Sequence, residues 1–334
     1  MSNGKISVAL LVGGTSPERE VSKNTGKSVF KALKDLGYNV KVIDPAYGLD
    51  QPKEVEKFFE EQDYTERSNR NIVEAINSTL FDDIDVAFIA LHGKWGEDGS
   101  VQALLELRGI KYTGSGVLSS SLAMDKSMSK IMFQHFDVST PRWFVINKDE
   151  DDFNLIKTKI KKFFGYPCII KPNDEGSTIG LTICRGDIEL IEAVEKAREF
   201  SKKVLVEEYI PGHELTVAVL DQQAFPVLEI IPKFGFYDYE NKYTEGRTDY
   251  VVPADIPQKV AEHLQHQALL AFNSVGCRSY ARIDFRVTND FKSNCLEVNT
   301  LPGMTSTSLV PKMARAAGIS FEELIDRIIT HAIS

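Results

Sequence analysis

Arg282 and Asp284 alternate with apolar residues in segment 279–287, and Glu297 and Asn299 do the same in segment 294–299. Alternation is the period of a half-buried strand, so each pair shares one face. Segment 288–293 between them is rich in turn formers, which predicts a hairpin. With Val287 opposite Asn294, Asp284 falls opposite Glu297 and Arg282 opposite Asn299. Two carboxylates and an amide oxygen on one patch, with no Cys or His beside them, suit magnesium and phosphate oxygens. A half-exposed salt-bridge patch around Arg282 accounts for the same residues equally well. Beyond Asn299 the strand runs into a polar loop containing Gly303.

Other residues gain meaning from their neighbours. Lys171 ends an apolar run and faces segment 173–180, where Gly176 and Gly180 bracket Ser177 and Thr178. Such a loop can turn its N–H groups toward phosphate, but it joins two strands and lacks the Gly-Lys-Ser/Thr of a P-loop. Taken alone it reads as a hairpin with a flexible tip. Lys126 and Lys130 fall on one helical face, which alone reads as solvated. Glu207-Glu208-Tyr209-Ile210-Pro211-Gly212-His213-Glu214 leaves a strand through a sharp turn, a place where an adenine edge can be read, although many strand ends look the same. Glu18 in the first turn of a helix serves either a ligand or the helix dipole. His92, at a strand end in a Gly-rich loop, is better placed for a ligand than for a core.

The elements that must hold these groups can be read in order. Apolar segment 6–12 ends at Gly13-Gly14, and Thr15 with Pro17 and Glu18 supplies helix-start chemistry for a helix reaching Gly37. This opening is Rossmann-like, yet it lacks the dinucleotide fingerprint, so NAD is not supported. Buried strand 86–91 ends in the loop carrying His92, placing both loops beyond the carboxyl ends of strands. A helix is expected over 119–136, then antiparallel strands and helices through 207, and further strands and helices to the end. Segment 47–80 is charged and has no assigned role.

The 334 residues suffice for two or three domains, and 39 basic against 48 acidic residues give a net charge of −9. That balance disfavours nucleic-acid or anionic-membrane partners. With no membrane-length apolar run and no signal-like N-terminus, a soluble cytoplasmic protein is expected. Cys168, Cys184, Cys277 and Cys295 lack paired spacing and read as reduced core residues.

Taken in order over nearly the whole chain, the motifs resemble the D-alanine–D-alanine ligases of the ATP-grasp superfamily. The resemblance rests on Gly13-Gly14-Thr15-Ser16-Pro17-Glu18-Arg19-Glu20-Val21-Ser22, on Leu91-His92-Gly93 with Gly96-Glu97-Asp98-Gly99, and on Met124-Asp125-Lys126 with Lys130. It continues through Lys171-Pro172, Gly176-Ser177-Thr178-Ile179-Gly180 and Phe236-Tyr237-Asp238-Tyr239-Glu240-Asn241-Lys242-Tyr243. It closes with segment 297–305 and Ser308-Leu309.

The resemblance implies an α/β ATP-grasp fold: a Rossmann-like substrate domain (1–118), then two α+β domains (119–207 and 208–334) that sandwich ATP. It implies formation of D-alanyl-D-alanine for peptidoglycan from two molecules of D-alanine, through a D-alanyl phosphate, in a homodimeric protein. Asp284, Glu297 and Asn299 would hold two Mg²⁺ ions, with Mn²⁺ able to substitute. Lys130, Lys171 and Lys242 would bind phosphates, capped by Ser177 and its loop. Glu207 would face the adenine amino group, Tyr209 and Ile210 would line its pocket, and Glu214 would take the ribose hydroxyls. Glu18 would hold the first D-alanine's ammonium, with His92 near its carboxylate. Arg282 and the Gly303 amide would form the oxyanion hole, and Ser308 with the Leu309 amide would bind the second carboxylate. Tyr243, on a lid loop, would bond Ser177 and Glu18. Tyrosine there resembles the dipeptide-forming members and not the relatives that use D-lactate. Thr178 replaces the family's usual second serine but keeps the hydroxyl.

Overall fold

The computed structural model describes residues 5–147, 152–233 and 246–334. The chain opens with strand β1 (Ser7–Leu11), helix α1 (Arg19–Asp35) and β2 (Asn39–Ile43). Helix α2 (Asn69–Ile76), β3 (Val86–Ile89), α3 (Ser100–Arg108) and β4 (Lys111–Tyr112) follow. All of β3, and β1 beyond Ser7, is apolar and buried, so both faces need cover, and the sheet is parallel throughout in the order β2-β1-β3-β4. Gly13-Gly14 and His92 therefore leave adjacent strands at the same edge.

The start of α1 differs from its expected capping pattern. The helix begins at Arg19 without a side-chain cap. The Thr15 hydroxyl instead donates to Asn69 Oδ1, and Ser16 Oγ donates to the His92 carbonyl at 2.6 Å. Glu18 is drawn away from the helix by Ser177, whose hydroxyl donates to its carboxylate.

The single helix expected over 119–136 is two, α4 (Val117–Met124) and α5 (Lys126–His135). Asp125 breaks it, with ψ of 96°, and its carboxylate accepts from Met128 N at 3.0 Å and Asn173 Nδ2 at 2.7 Å. An aspartate that caps a new helix competes well with continuing the old one. Next come β5 (Trp143–Asn147), α6 (Phe153–Phe163), β6 (Cys168–Pro172), β7 (Thr182–Cys184), α7 (Leu190–Arg198) and β8 (Lys203–Glu208). They form an antiparallel sheet ordered β5-β8-β6-β7.

The remaining chain supplies β9 (His213–Leu220), β10 (Gln223–Ala224), β11 (Leu228–Pro232), β12 (Thr248–Val251), α8 (Gln258–Ser274), β13 (Tyr280–Val287) and β14 (Ser293–Asn299). Helices α9 (Leu309–Ala316) and α10 (Phe321–Ile333) end it. The third sheet is ordered β12-β11-β9-β13-β14, with β10 paired to β9. The β13–β14 register pairs Asp284 with Glu297 and Arg282 with Asn299, as expected, but Val287 meets Ser293 and not Asn294. A one-residue bulge at Leu296 separates the two registers. It reverses parity, so Cys295 and Val298 are both buried although three apart, while Leu296 turns into the cleft instead of sharing the face of Val298.

The apolar residues gather into three cores. One face of the third sheet packs on α8 and takes Ala123 and Phe133 from α4 and α5. Its other face, through Ala218, Leu220 and Tyr280, joins the core of the first sheet, which α10 completes with Leu324 and Ile328. Tyr38 Oη seals that return by donating to Asp326 at 2.6 Å. The β5-β8-β6-β7 sheet keeps a core of its own. All four cysteines are buried and free. No helix among the described residues is long and apolar enough to cross a membrane.

Candidate active site

Two cavities meet between the sheets. The first lies between the central and third sheets and is lined by Lys171, Glu207, Tyr209, Ile210, Glu214, Asp284 and Glu297. The second lies toward the first sheet, with Glu18, His92, Arg282, Gly303, Ser308 and Leu309 in its wall. Gly176, Ser177 and Glu297 border both. Sites read from widely separated motifs are thus brought to one continuous cleft.

Glu207 projects from β8 and is only 2 % exposed. One oxygen pairs with Lys130 Nζ and the other lies 2.8 Å from Lys171 Nζ. Burial alone would raise its pKa, but the two ammonium groups outweigh that and hold the carboxyl below its usual range. Burial also depresses the Lys130 ammonium. The solvated face expected for Lys126 and Lys130 taken alone is absent, since both are buried. Lys130 lies behind Glu207, and its ammonium donates to Thr140 Oγ1 at 2.6 Å.

On β13, Arg282 grips Asp284 with two hydrogen bonds, Nε at 2.9 Å and Nη2 at 2.7 Å. Asp284 also accepts from Thr216 Oγ1 at 2.6 Å and from Asn299 Nδ2 at 3.0 Å. Because that amide donates to Asp284, its oxygen remains the free end for a further partner. Across the hairpin, Lys126 Nζ lies 3.1 Å from Glu297 Oε2. Burial pulls the Lys126 pKa down, and Glu297 with its neighbours more than restores it. Among the described residues no group of three or more His, Cys, Asp or Glu is placed to hold a metal ion by itself. The protein donors are therefore two carboxylates and one amide, a count that suits a small hard cation completing its shell with phosphate oxygens.

The 173–181 loop is fixed at its Asn173 end and strained in the middle. Asn173 Oδ1 accepts from Ser127 N at 2.9 Å, and Ser177 and Thr178 have φ of 50° and 65°. Successive left-handed residues other than glycine are costly and gather at functional loops. Gly176 permits the approach to Glu18, because a Cβ there would stand 3.2 Å from Glu18 Oε2.

In the second cavity, Thr25 Oγ1 lies 3.0 Å from His92 Nε2, and the Leu301 backbone favours the charged ring. Burial lowers the histidine pKa, against the opposing pull of Glu18, and favours neutral imidazole. Ser308 precedes α9, and its Oγ accepts from Thr305 N at 3.1 Å. The helix N-terminus beside it offers N–H groups and a positive dipole end to an anion.

Lys242 and Tyr243 lie outside the described residues. Three further groups have no role that local sequence announces. Lys126 is the first of them. Glu97 sits beside Glu18 and accepts from Gly93 N–H, and burial pushes its carboxyl up to about 8. Arg19 bonds Asp44 at 2.6 Å and Asp63 at 2.8 Å, so the 47–80 segment clamps the first turn of α1 next to Glu18. No local spacing announces that clamp, because Asp63 is distant in sequence and reaches Arg19 only in the fold.

A Rossmann-like unit followed by two α+β sheets that face each other over a polar cleft defines the ATP-grasp class. Family models described as D-ala D-ala ligase N-terminus and C-terminus match residues 7–115 and 132–330. The chain is 45% identical to the D-alanine–D-alanine ligase of Syntrophotalea carbinolica, over 97% of this chain and 95% of that protein. It is 42% identical to that of Desulforamulus reducens, over 98% of each. Among solved structures, the Bacillus anthracis D-alanine–D-alanine ligase complexed with ATP superposes with a TM-score of 0.79 at 33% identity, covering 99% of this chain and 98% of that one. The VanG D-Ala:D-Ser ligase of Enterococcus faecalis gives 0.81 at 29% identity, over 98% and 100%. The chain belongs to the D-alanine–D-alanine ligase family.

Proposed function

We propose that this protein is an ATP-dependent ligase that joins two D-alanine molecules to make D-alanyl-D-alanine for peptidoglycan. The observation that carries the reading is the shared border of the two cavities at Gly176, Ser177 and Glu297. A phosphoryl donor in one and an amino acid in the other meet there. A carboxylate is a poor electrophile, so its oxygen first takes the γ-phosphoryl group of ATP. The amine of the second D-alanine then attacks the acyl carbon, loses a proton, and phosphate departs from the tetrahedral intermediate.

Each side chain has a place in that sequence. Tyr209 and Ile210 flank adenine, Glu207 meets its amino group, and Glu214 takes the ribose. Lys171, backed by Lys130 and joined by Lys242, supplies charge to the phosphates, and Ser177 with the loop amides caps them. Glu18 takes the first ammonium, and neutral His92 stands near its carboxylate. Arg282, oriented by Asp284, and the Gly303 amide face the developing oxyanion. Ser308 and the Leu309 amide hold the second carboxylate at the N-terminus of α9. Tyr243, on the lid, helps exclude water from the acyl phosphate. Asp284, Glu297 and Asn299 would hold two Mg²⁺, or Mn²⁺ in their place, which neutralise charge on the transferring phosphoryl group. The reading places a homodimer in the cytoplasm.

Phosphate release with Mg·ATP and D-alanine, with mass spectrometry of the product, tests it. D-alanyl-D-alanine as the dominant product is the expected result. Likeness to a D-Ala:D-Ser ligase makes D-serine, with D-lactate, the necessary competitor. A mixed product would keep the mechanism and overturn the second substrate. ATP binding without turnover on any of them would make the fold a catalytically silent nucleotide binder.

A further inference from the structure

Lys126 opens α5 and is 7 % exposed, yet the mechanism above assigns it nothing. Its Nζ donates to the Glu175 carbonyl at 2.7 Å and lies 3.1 Å from Glu297 Oε2. Its backbone N–H donates to the Asn173 carbonyl at 3.0 Å. One residue thus joins α5, the base and flank of the 173–181 loop, and the β14 carboxylate that both cavities share. Glu207, held ionised by its two lysines, adds negative charge around it. We propose that Lys126 is a positioning residue: it holds the phosphate loop against Glu297 and competes with a divalent cation for that carboxylate until nucleotide arrives. The inference rests on the reading of Glu297 as a metal ligand.

Two physical consequences have opposite signs. An ammonium already on Glu297 repels a divalent ion and occupies one of its oxygens, so it weakens metal binding without nucleotide. The same ammonium anchors the loop and adds positive charge beside the phosphates, so it strengthens ATP binding. Loss of local structure would weaken both.

The test is Lys126→Met in the full-length protein, with Lys126→Arg as the charge-conserving control and Lys126→Gln in reserve should the methionine variant not fold. Mn²⁺ binding without nucleotide is read by the electron paramagnetic resonance of free Mn²⁺, and affinity for a non-hydrolysable ATP analogue by calorimetry. We expect Lys126→Met to tighten Mn²⁺ at least threefold and weaken the analogue at least tenfold, with Lys126→Arg recovering most of the latter. Both affinities falling together, or neither moving, would overturn the role of Lys126. Glu297→Gln separates the two readings. Unchanged Mn²⁺ binding in that variant removes the metal site itself and the inference with it. Lost binding there, beside same-sign changes in Lys126→Met, removes the Lys126 inference alone.

Discussion

Glu207→Gln removes the carboxylate between two buried ammonium groups while keeping the side chain's shape. Lys130 is 0 % and Lys171 10 % exposed at the side chain, so water cannot replace the lost charge at Lys130. Deleting one partner of a buried ion pair costs about 3–5 kcal/mol. Glutamine keeps one acceptor oxygen, and Thr140 Oγ1 still accepts from Lys130, which puts the expected loss at the lower end, about 3 kcal/mol. For a chain of this size, at about 2.1 cal/mol/K of unfolding entropy per residue, that corresponds to a fall in Tm of roughly 4 °C. The sign of the pH dependence is a second check. Lys130 titrates below its usual value through burial, with Glu207 opposing the shift, so removing Glu207 lowers it further. Between that depressed pKa and the ordinary lysine value of 10.5 the unfolded chain binds the extra proton, and stability rises with pH. The deficit of Glu207→Gln should therefore shrink as pH is raised from about 7 toward 10. Urea titrations across that range would measure it, with Lys130→Met and the double variant completing a cycle. A loss below about 1 kcal/mol, additive with that of Lys130→Met, would refute a coupled trio.

Two further outcomes follow from the same geometry. Glu97 is raised from 4.5 to about 8 by burial and by Glu18, so its folded form holds a proton that the unfolded form releases. The stability it contributes is complete below pH 4.5 and declines until about pH 8. Glu97→Gln should flatten that decline in urea titrations, and an unchanged slope would contradict the burial argument. Gly13→Ala should cost well over the roughly 1–2 kcal/mol of a left-handed alanine, because φ is 77° and the new Cβ would overlap Asp44 Oδ2 and Arg19 Nη1. Gly37→Ala, with φ of 85° and open space around it, should cost only the backbone term, so equal melting temperatures for the two would count against the clamp.

What was legible in the sequence had a local period. Alternation placed Arg282 with Asp284 and Glu297 with Asn299, and the hairpin pairs them as expected at the end where the cleft lies. The same rule misplaced Leu296, because one extra residue in β14 reverses parity and composition does not announce a bulge. Continuous apolar runs marked β1 and β3, but Asp125 cut a helix whose periodicity ran through it, since its carboxylate finds Asn173 from a distant loop.

The less legible features share a cause that bears on how the cleft works. Lys126 and Lys130 on α5 each look solvated when taken alone and Lys171 loop-facing, yet each is neutralised by a glutamate from a strand other than its own element. Charge balance across elements has no sequence period, so it emerges only when the sheets meet. The central sheet keeps an apolar core separate from the other two, and Lys130 on α5 bonds Glu207 of β8, a polar link between that sheet and a helix packed on the third. Apolar burial is non-directional, whereas an ion pair holds one geometry and exchanges partners when a new charge enters. On the proposed function, phosphate would compete with Glu207 for Lys171, and a cation would compete with Lys126 for Glu297. That reading couples nucleotide binding to the setting of the central sheet through the same side chains, so variants at Glu207 or Lys126 should shift the two together.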